Sequence, residues 1–178
     1  LCHQLPIVGT LFRKSFFDPA AGRNKSLLVG ALKLIVNYWA KSLELAPRVT
    51  EELEFYPYEV KEFERAGLWI EHQYQSSIDR GTDDDAPIKF YEQHRWLDLD
   101  DDGFPEPYTV TIDKEGAHVA RIVARFEAEG VHIGPDSDGD DAEPQIVRIE
   151  PLQFYTQYDF LPSLDGGIYG TGLGQLLG

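Results

Sequence analysis

Asp98, Asp100, Asp102 and Gly103 stand at the spacing of positions one, three, five and six of an EF-hand loop. Alternate carboxylates on such a loop converge on a hard cation such as calcium, and the glycine permits the sharp turn between them. The rest of the signature departs. The twelfth position is Thr109 instead of a bidentate glutamate, Pro105 and Pro107 interrupt the exit, and a strand-like stretch follows where an EF-hand has a helix. The spacing therefore predicts a structural hairpin turn, with a weak cation site as the alternative. In that alternative Asp136–Asp141 would join the loop, and the chain would be an acidic calcium-binding β domain serving binding or adhesion.

Other residue types offer less. His3, His72, His94, His118 and His132 are scattered, without the His-x-x-x-His or Cys-x-x-Cys spacing of zinc sites. His94 and His118 fall in strand-like stretches and read as satisfied sheet residues. Cys2, the single cysteine, rules out an internal disulfide, fits a reducing compartment and reads as a small buried hydrophobe. Gly9-Thr10 lacks the second glycine and the Lys-Ser/Thr of a phosphate loop. The glycines from Gly166 to Gly174 are no dinucleotide fingerprint, because Tyr169 and Leu173 fill its slots. No serine has a nucleophile-elbow context, and no pair of carboxylates is singled out for acid–base work. The expectation is a protein that is not an enzyme, with no catalytic, cofactor-binding or metal residue.

Charge narrows the partners. The 178 residues carry 31 acidic against 16 basic side chains, a formal net charge of −15. Gripping DNA through its phosphates needs the opposite surplus, so the charge argues against tight or sequence-specific DNA binding. A surface past which DNA slides without adhering is compatible. No apolar run reaches the roughly 20 residues of a membrane span, and the opening Leu1–Pro6 lacks a signal peptide's basic flank and apolar core. The sequence contains no methionine, which points to a piece of a longer chain.

The elements that would position these residues follow from pattern. Leu11–Phe17 is β-rich, Asp18-Pro19 and Ala21–Asn24 supply turn chemistry, and Leu32–Tyr38 reads as a second strand. Arg48–Phe55 is a strand with Val49, Leu53 and Phe55 on one face. Tyr56-Pro57 opens a helix with Tyr56, Val60 and Phe63 as its buried stripe, and Gly67 closes it with Leu68 and Trp69 folding back. The acidic stretches 76–86 and 135–144 read as solvated loops. Ile88–Leu97, Tyr108–Ile112 and His118–Phe126 form an antiparallel meander joined through Asp98–Pro107 and Asp113–Gly116, and Gln145–Ile149 is a further strand. Gln153–Gly178 runs aromatic residues into a turn with five glycines between Gly166 and Gly174 and ends as a helix begins.

Four blocks, in order, resemble the portal proteins of tailed bacteriophages of the large, short-tailed-phage type. The first comprises Gly9, Phe12, Asp18, Pro19, Gly22, Arg23, Asn37 and Tyr38, with Lys14 one place after the family's basic position. The second is Arg48-Val49-Thr50, a short strand, and a helix ending Ala66-Gly67 before an aromatic residue. The third, Glu92–Thr111, is long and specific; the fourth is Gln153–Gly178. The resemblance implies an α+β fold of mixed, mostly antiparallel sheets with a few short helices, the outward-projecting wing of a portal subunit. Residues 1–178 would be one wing-like fragment, with a strand and helix part over 1–77, the meander over 88–150, and a lead over 151–178 into a long helix. It further implies a phage or prophage structural protein of the virion, assembled in the bacterial cytoplasm into a ring, usually of twelve subunits, at the capsid portal vertex. Its partners would be other portal subunits, capsid, terminase and tail or adaptor proteins, with double-stranded DNA passing through unread, no membrane and no cofactor.

Overall fold

The computed structural model describes residues 2–18, 21–74, 86–134, 145–163 and 165–177. The fold is α+β, and every strand pair among the described residues is antiparallel. A one-turn helix α1 (Leu5–Val8) leads into β1 (Thr10–Asp18), which lies between β2 (Arg23–Gly30) and β10 (Tyr155–Asp159) in a three-stranded sheet. A five-stranded meander holds β3 (Leu34–Val36), β4 (Arg48–Phe55), β5 (Ile88–Leu97), β6 (Glu106–Asp113) and β7 (Val119–Ala124) in sequence order. Helix α2 (Pro57–Arg65) sits between β4 and β5; β8 (Val131–Gly134) and β9 (Gln145–Ile149) form a separate hairpin; α3 (Leu173–Leu177) follows the glycine run.

Several elements form for the reasons their sequence supplies. Pro57 stands in the first turn of α2, Glu59 reaches back to the Tyr56 backbone N–H at 2.8 Å, and Gly67 adopts φ +68° so that Leu68 donates back to Phe63 at 2.9 Å. The β5–β6 turn runs through Asp98–Gly103, with Asp101 at φ +59° and Gly103 at φ +88°.

Other expectations need correction. The strand expected over Leu32–Tyr38 shrinks to Leu34–Val36. A 3-10 turn occupies Ala31–Lys33, and Asn37 leaves the extended path to cap Arg48 N with its side-chain oxygen at 2.9 Å. Residues Arg23–Gly30, expected to begin as a turn, form a full strand because β1 supplies their ladder. Tyr56 is the half-exposed N-cap of α2, so the buried stripe reduces to Val60, flanked by Phe63. The meander expected over 88–150 ends at Ala124, and β9 pairs with β8 instead. Cys2 is exposed, since the turn before α1 packs against no core. The stretches 1–77, 88–150 and 151–178 are interleaved: β3 and β4 share a sheet with β5–β7, and β10 pairs with β1.

Two apolar clusters hold the layers. Phe12, Val29, Leu34, Val49 and Ile168 fill the space between the three-stranded sheet and the β3–β4 end of the meander. Val60, Trp69, Tyr74, Ile88, Phe90 and Ala120, with Phe55 and Phe63 packed on them, bind α2 to the same meander face. Trp69 and Phe90 meet edge to face at 4.7 Å between centroids, a geometry that adds to what area burial contributes. Among the described residues no helix is long and apolar enough to cross a membrane.

Candidate functional site

Strand parity places Lys14 on the inward face of β1, between Phe12 and Phe16, where an apolar residue is expected. The same parity puts Glu51 beside Val49 and Leu53 on β4, and Glu92 between Phe90 and His94 on β5. These three charges meet where the two sheets face each other. Lys14 Nζ donates to Glu51 Oε2 at 2.6 Å and lies 2.8 Å from Glu92 Oε1. Tyr155, opposite Lys14 on β10, donates its hydroxyl to Glu51 Oε2 at 2.7 Å. His94 Nε2 is 3.3 Å from Glu92 Oε1, and its ring packs against Phe154 and Tyr155. Arg125, just beyond β7, is buried beside them and donates to the Leu152 carbonyl at 2.8 Å.

The electrostatics follow from burial set against partners. Desolvation alone would pull the Lys14 ammonium down, but Glu92 and Glu51 outweigh it and hold its pKa above the ordinary lysine value. Burial pushes the Glu92 carboxyl up, and the hydrogen bond from His94 with the charge of Lys14 overturns this to leave it at about 2. Burial dominates at His94 and holds it below the ordinary histidine value, despite Glu92. Burial raises the Tyr155 hydroxyl well above the usual phenol range and lowers Arg125 to about 10, still a cation at neutral pH. Lys14 and Arg125 are thus cations and Glu92 a carboxylate, while burial favours the neutral forms of His94 and Tyr155. Lys14 is protonated and held between both acids, so the arrangement clamps two sheets and offers no free amine.

The cluster forms one end of a cleft of about 860 Å³. Its floor is the meander face, crossed by the row Glu51, Glu92, Thr111 and Arg121 on four successive strands. Phe16 and Phe17 of β1 wall one side; Phe55, Phe63 and Trp69 wall the other. None of this constellation was singled out by motif spacing. A lysine and two glutamates standing at the apolar parity of three strands was the available signal.

The loop residues read as site-like end up elsewhere. Asp98, Asp100 and Asp102 have carboxylate oxygens within 4.8 Å of one another, and Asp98 Oδ1 is shielded from solvent without a hydrogen-bond partner among the described residues. The other oxygens serve the turn: Asp98 Oδ2 accepts from Gly103 N at 2.9 Å, and Asp102 Oδ1 from Phe104 N at 2.7 Å. Thr109, the twelfth position, lies inside β6 opposite His94 and faces the cleft floor, so it cannot complete a shell. The second acidic stretch, Asp136–Asp141, lies outside the described residues.

Of the histidines, His72 and His118 come together and His3, His94 and His132 lie apart. His118 precedes β7 and is exposed, correcting its placement on a strand, and its ring sits 3.9 Å from that of His72. His132 pairs with Glu150 on the hairpin at 3.3 Å, and His3 is exposed.

The glycine run has a mechanical use. A Cβ on Gly170 would stand 2.5 Å from the Leu161 carbonyl oxygen, and one on Gly172 would stand 2.6 Å from that of Ile7. Bare backbone is what lets this segment lie against Gly9 at the start of β1, while Tyr169 donates to the Leu34 carbonyl of β3 at 2.8 Å.

No protein-family model and no curated protein sequence matches the chain.

Proposed function

We propose that this chain is the wing region of a tailed-phage portal subunit, a structural protein with no catalytic role. The parent would form the ring at the capsid portal vertex through which DNA is packaged and ejected, and to which terminase and tail proteins attach. It would reside in the virion after assembly in the bacterial cytoplasm. The reading rests on the four ordered blocks of resemblance, and one structural observation supports an assembly role. Helices α1 and α3 pack together. Beside them an apolar groove of about 560 Å³, lined by Ile7, Val8, Leu32, Ile35 and Tyr169, stays uncovered. Leu32 is 98% exposed there and Ile7 73%. Contiguous exposed apolar surface of this kind marks a place where protein packs on protein. The charge of −15 suits a wall that does not hold passing DNA.

Negative-stain imaging of the full-length gene product with its assembly partners tests the reading. Rings with an axial opening of roughly 20 Å or more, wide enough for the grooved duplex, are expected. A product that stays monomeric at high concentration overturns it.

The unpartnered Asp98 Oδ1 favours the second reading, an acidic calcium-binding β domain. With Thr109 unable to contribute, calorimetric titration should show no saturable calcium binding below about 1 mM, outside the range of EF-hand sensors. Micromolar saturation abolished by Asp100→Ala would replace the portal reading with this one.

A further inference from the structure

The cations of the cleft floor are not all committed. Lys14 is shared by Glu51 and Glu92 at one end, while Arg121, at the other end of the same cross-strand row, has no carboxylate and no hydrogen-bond acceptor among the described residues. Its Nε is shielded from solvent and donates to no group among the described residues. Arg125, on the same face, also leaves its Nε unpaired among the described residues, but it is anchored through Nη1 to the Leu152 carbonyl, an anchor that Arg121 lacks. Leaving a buried donor of a charged group unsatisfied is costly, and such a group calls for a partner. The cleft over it, about 860 Å³, falls within the size range of small-ligand sites, and its walls are aromatic.

We propose that this cleft binds a carboxylate carried on an aromatic or aliphatic body, with Arg121 as the anchor. A guanidinium presents a planar fork that matches a carboxylate, and the body would lie between Phe16–Phe17 and Phe55–Trp69. The charge around the site selects the class. Among the described residues Arg121 is the one lining cation left uncommitted, because Lys14 serves Glu51 and Glu92 and Lys25 pairs with Asp18. Glu59 and Glu62 stand on the rim, so a multiply charged anion such as a phosphate ester is repelled where a monocarboxylate is accepted. The carboxylate could be supplied by a free organic acid or by an acidic side chain of a peptide flanked by apolar residues. Both present the same group to Arg121. The inference does not depend on the portal reading.

Amide chemical-shift mapping on this chain tests it, with phenylacetate as the small-acid probe and an acetylated, amidated Phe-Glu-Phe tripeptide as the peptide probe. Saturable shifts at Thr111, Arg121, Val123 and the Trp69 indole N–H are expected for at least one, and which one identifies the source. Phenylacetamide and Phe-Gln-Phe, equal in shape but uncharged, should leave these signals in place. Arg121→Gln should weaken binding about tenfold or more, the loss of one charge-assisted pair. Arg121→Lys, which keeps the charge without the fork, should weaken it several-fold and decides the matter if the glutamine variant fails to fold. Binding that is equal for acid and amide, unchanged in Arg121→Lys, or absent for both probes overturns the proposal.

Discussion

Lys14 and Tyr155 face each other across the β1–β10 pair, and both reach the same oxygen, Glu51 Oε2, at 2.6 and 2.7 Å. Two strands of one sheet are thereby fastened to a single carboxylate of the other. Because Lys14 also contacts Glu92 on β5, the junction ties together residues far apart in sequence. Removing the cation alone strands two buried acids. Lys14→Met should therefore cost about 3–5 kcal/mol in urea unfolding, the range for breaking a buried pair from one side. Adding Glu51→Gln and Glu92→Gln to it should recover part of the loss. A single-variant loss below about 1 kcal/mol would show that the clamp contributes little.

The same cluster sets an acid limit. His94 faces Glu92, Lys14, Arg125 and Tyr155, and burial holds its folded pKa below the unfolded value of 6.5. The unfolded chain then binds the proton more readily, so stability is full above that value and falls as pH drops through it. Glu92, at about 2 in the folded state against an ordinary 4.5, adds a second loss as pH falls below 4.5. Unfolding free energies measured from about pH 8 down to pH 3 should decline in these two windows. His94→Gln should flatten the upper one; a slope unchanged by that substitution would assign it to other groups.

How much of this was legible in the chain depends on where the signal lay. The β5–β6 hairpin could be read because long β-branched and aromatic runs flank an Asp- and Gly-rich turn. Helix α2 could be read from Pro57 and Gly67. Strand β2 was hidden by its polar opening Arg23-Asn24-Lys25-Ser26, which resembles turn chemistry until β1 supplies its partners. Strand β10 was hidden because its ladder partner lies far away in the chain, from Lys14–Tyr155 to the Thr10–Asp159 pair that the Thr10 hydroxyl joins at 2.8 Å. The Lys14 clamp lay beyond spacing rules for the same reason. Each member obeys its own strand's parity, and only the stacking of two sheets brings them together.

Glycine positions separate close approach from mere flexibility. Gly172→Ala drives a Cβ to 2.6 Å from the Ile7 carbonyl oxygen and 3.0 Å from Gly9 N, both backbone atoms. It should destabilise by about 1–3 kcal/mol through overpacking. Gly174→Ala, within α3 and with nothing within 4 Å, should be neutral or stabilising by up to about 1 kcal/mol. Thermal melts of the two variants side by side check this. Equal midpoints would mean that the contact between the glycine run and α1 is easily given up.

Assembly and folding should be separable at the apolar groove. Leu32 is 98% exposed, so it contributes almost nothing to the core of this chain. Leu32→Ser should leave the melting behaviour of the 178-residue chain within about 0.5 kcal/mol of the original, as for surface substitutions in general. In the full-length subunit the same change would remove apolar area from the surface proposed to meet a neighbour. Closed rings repeat one heterologous interface, so a loss at each contact is multiplied around the circle. Light scattering should therefore show the 178-residue chain monomeric or weakly associated, the full-length subunit in rings, and the Leu32→Ser subunit shifted towards monomer. Replacing Ile7 by Ser should act in the same direction, because it lines the same groove and is 73% exposed. If both variants assemble as the parent does, the groove is not the contact surface. If they fail to assemble but also melt early, the residues belong to the fold, and the assembly role assigned to this face is wrong.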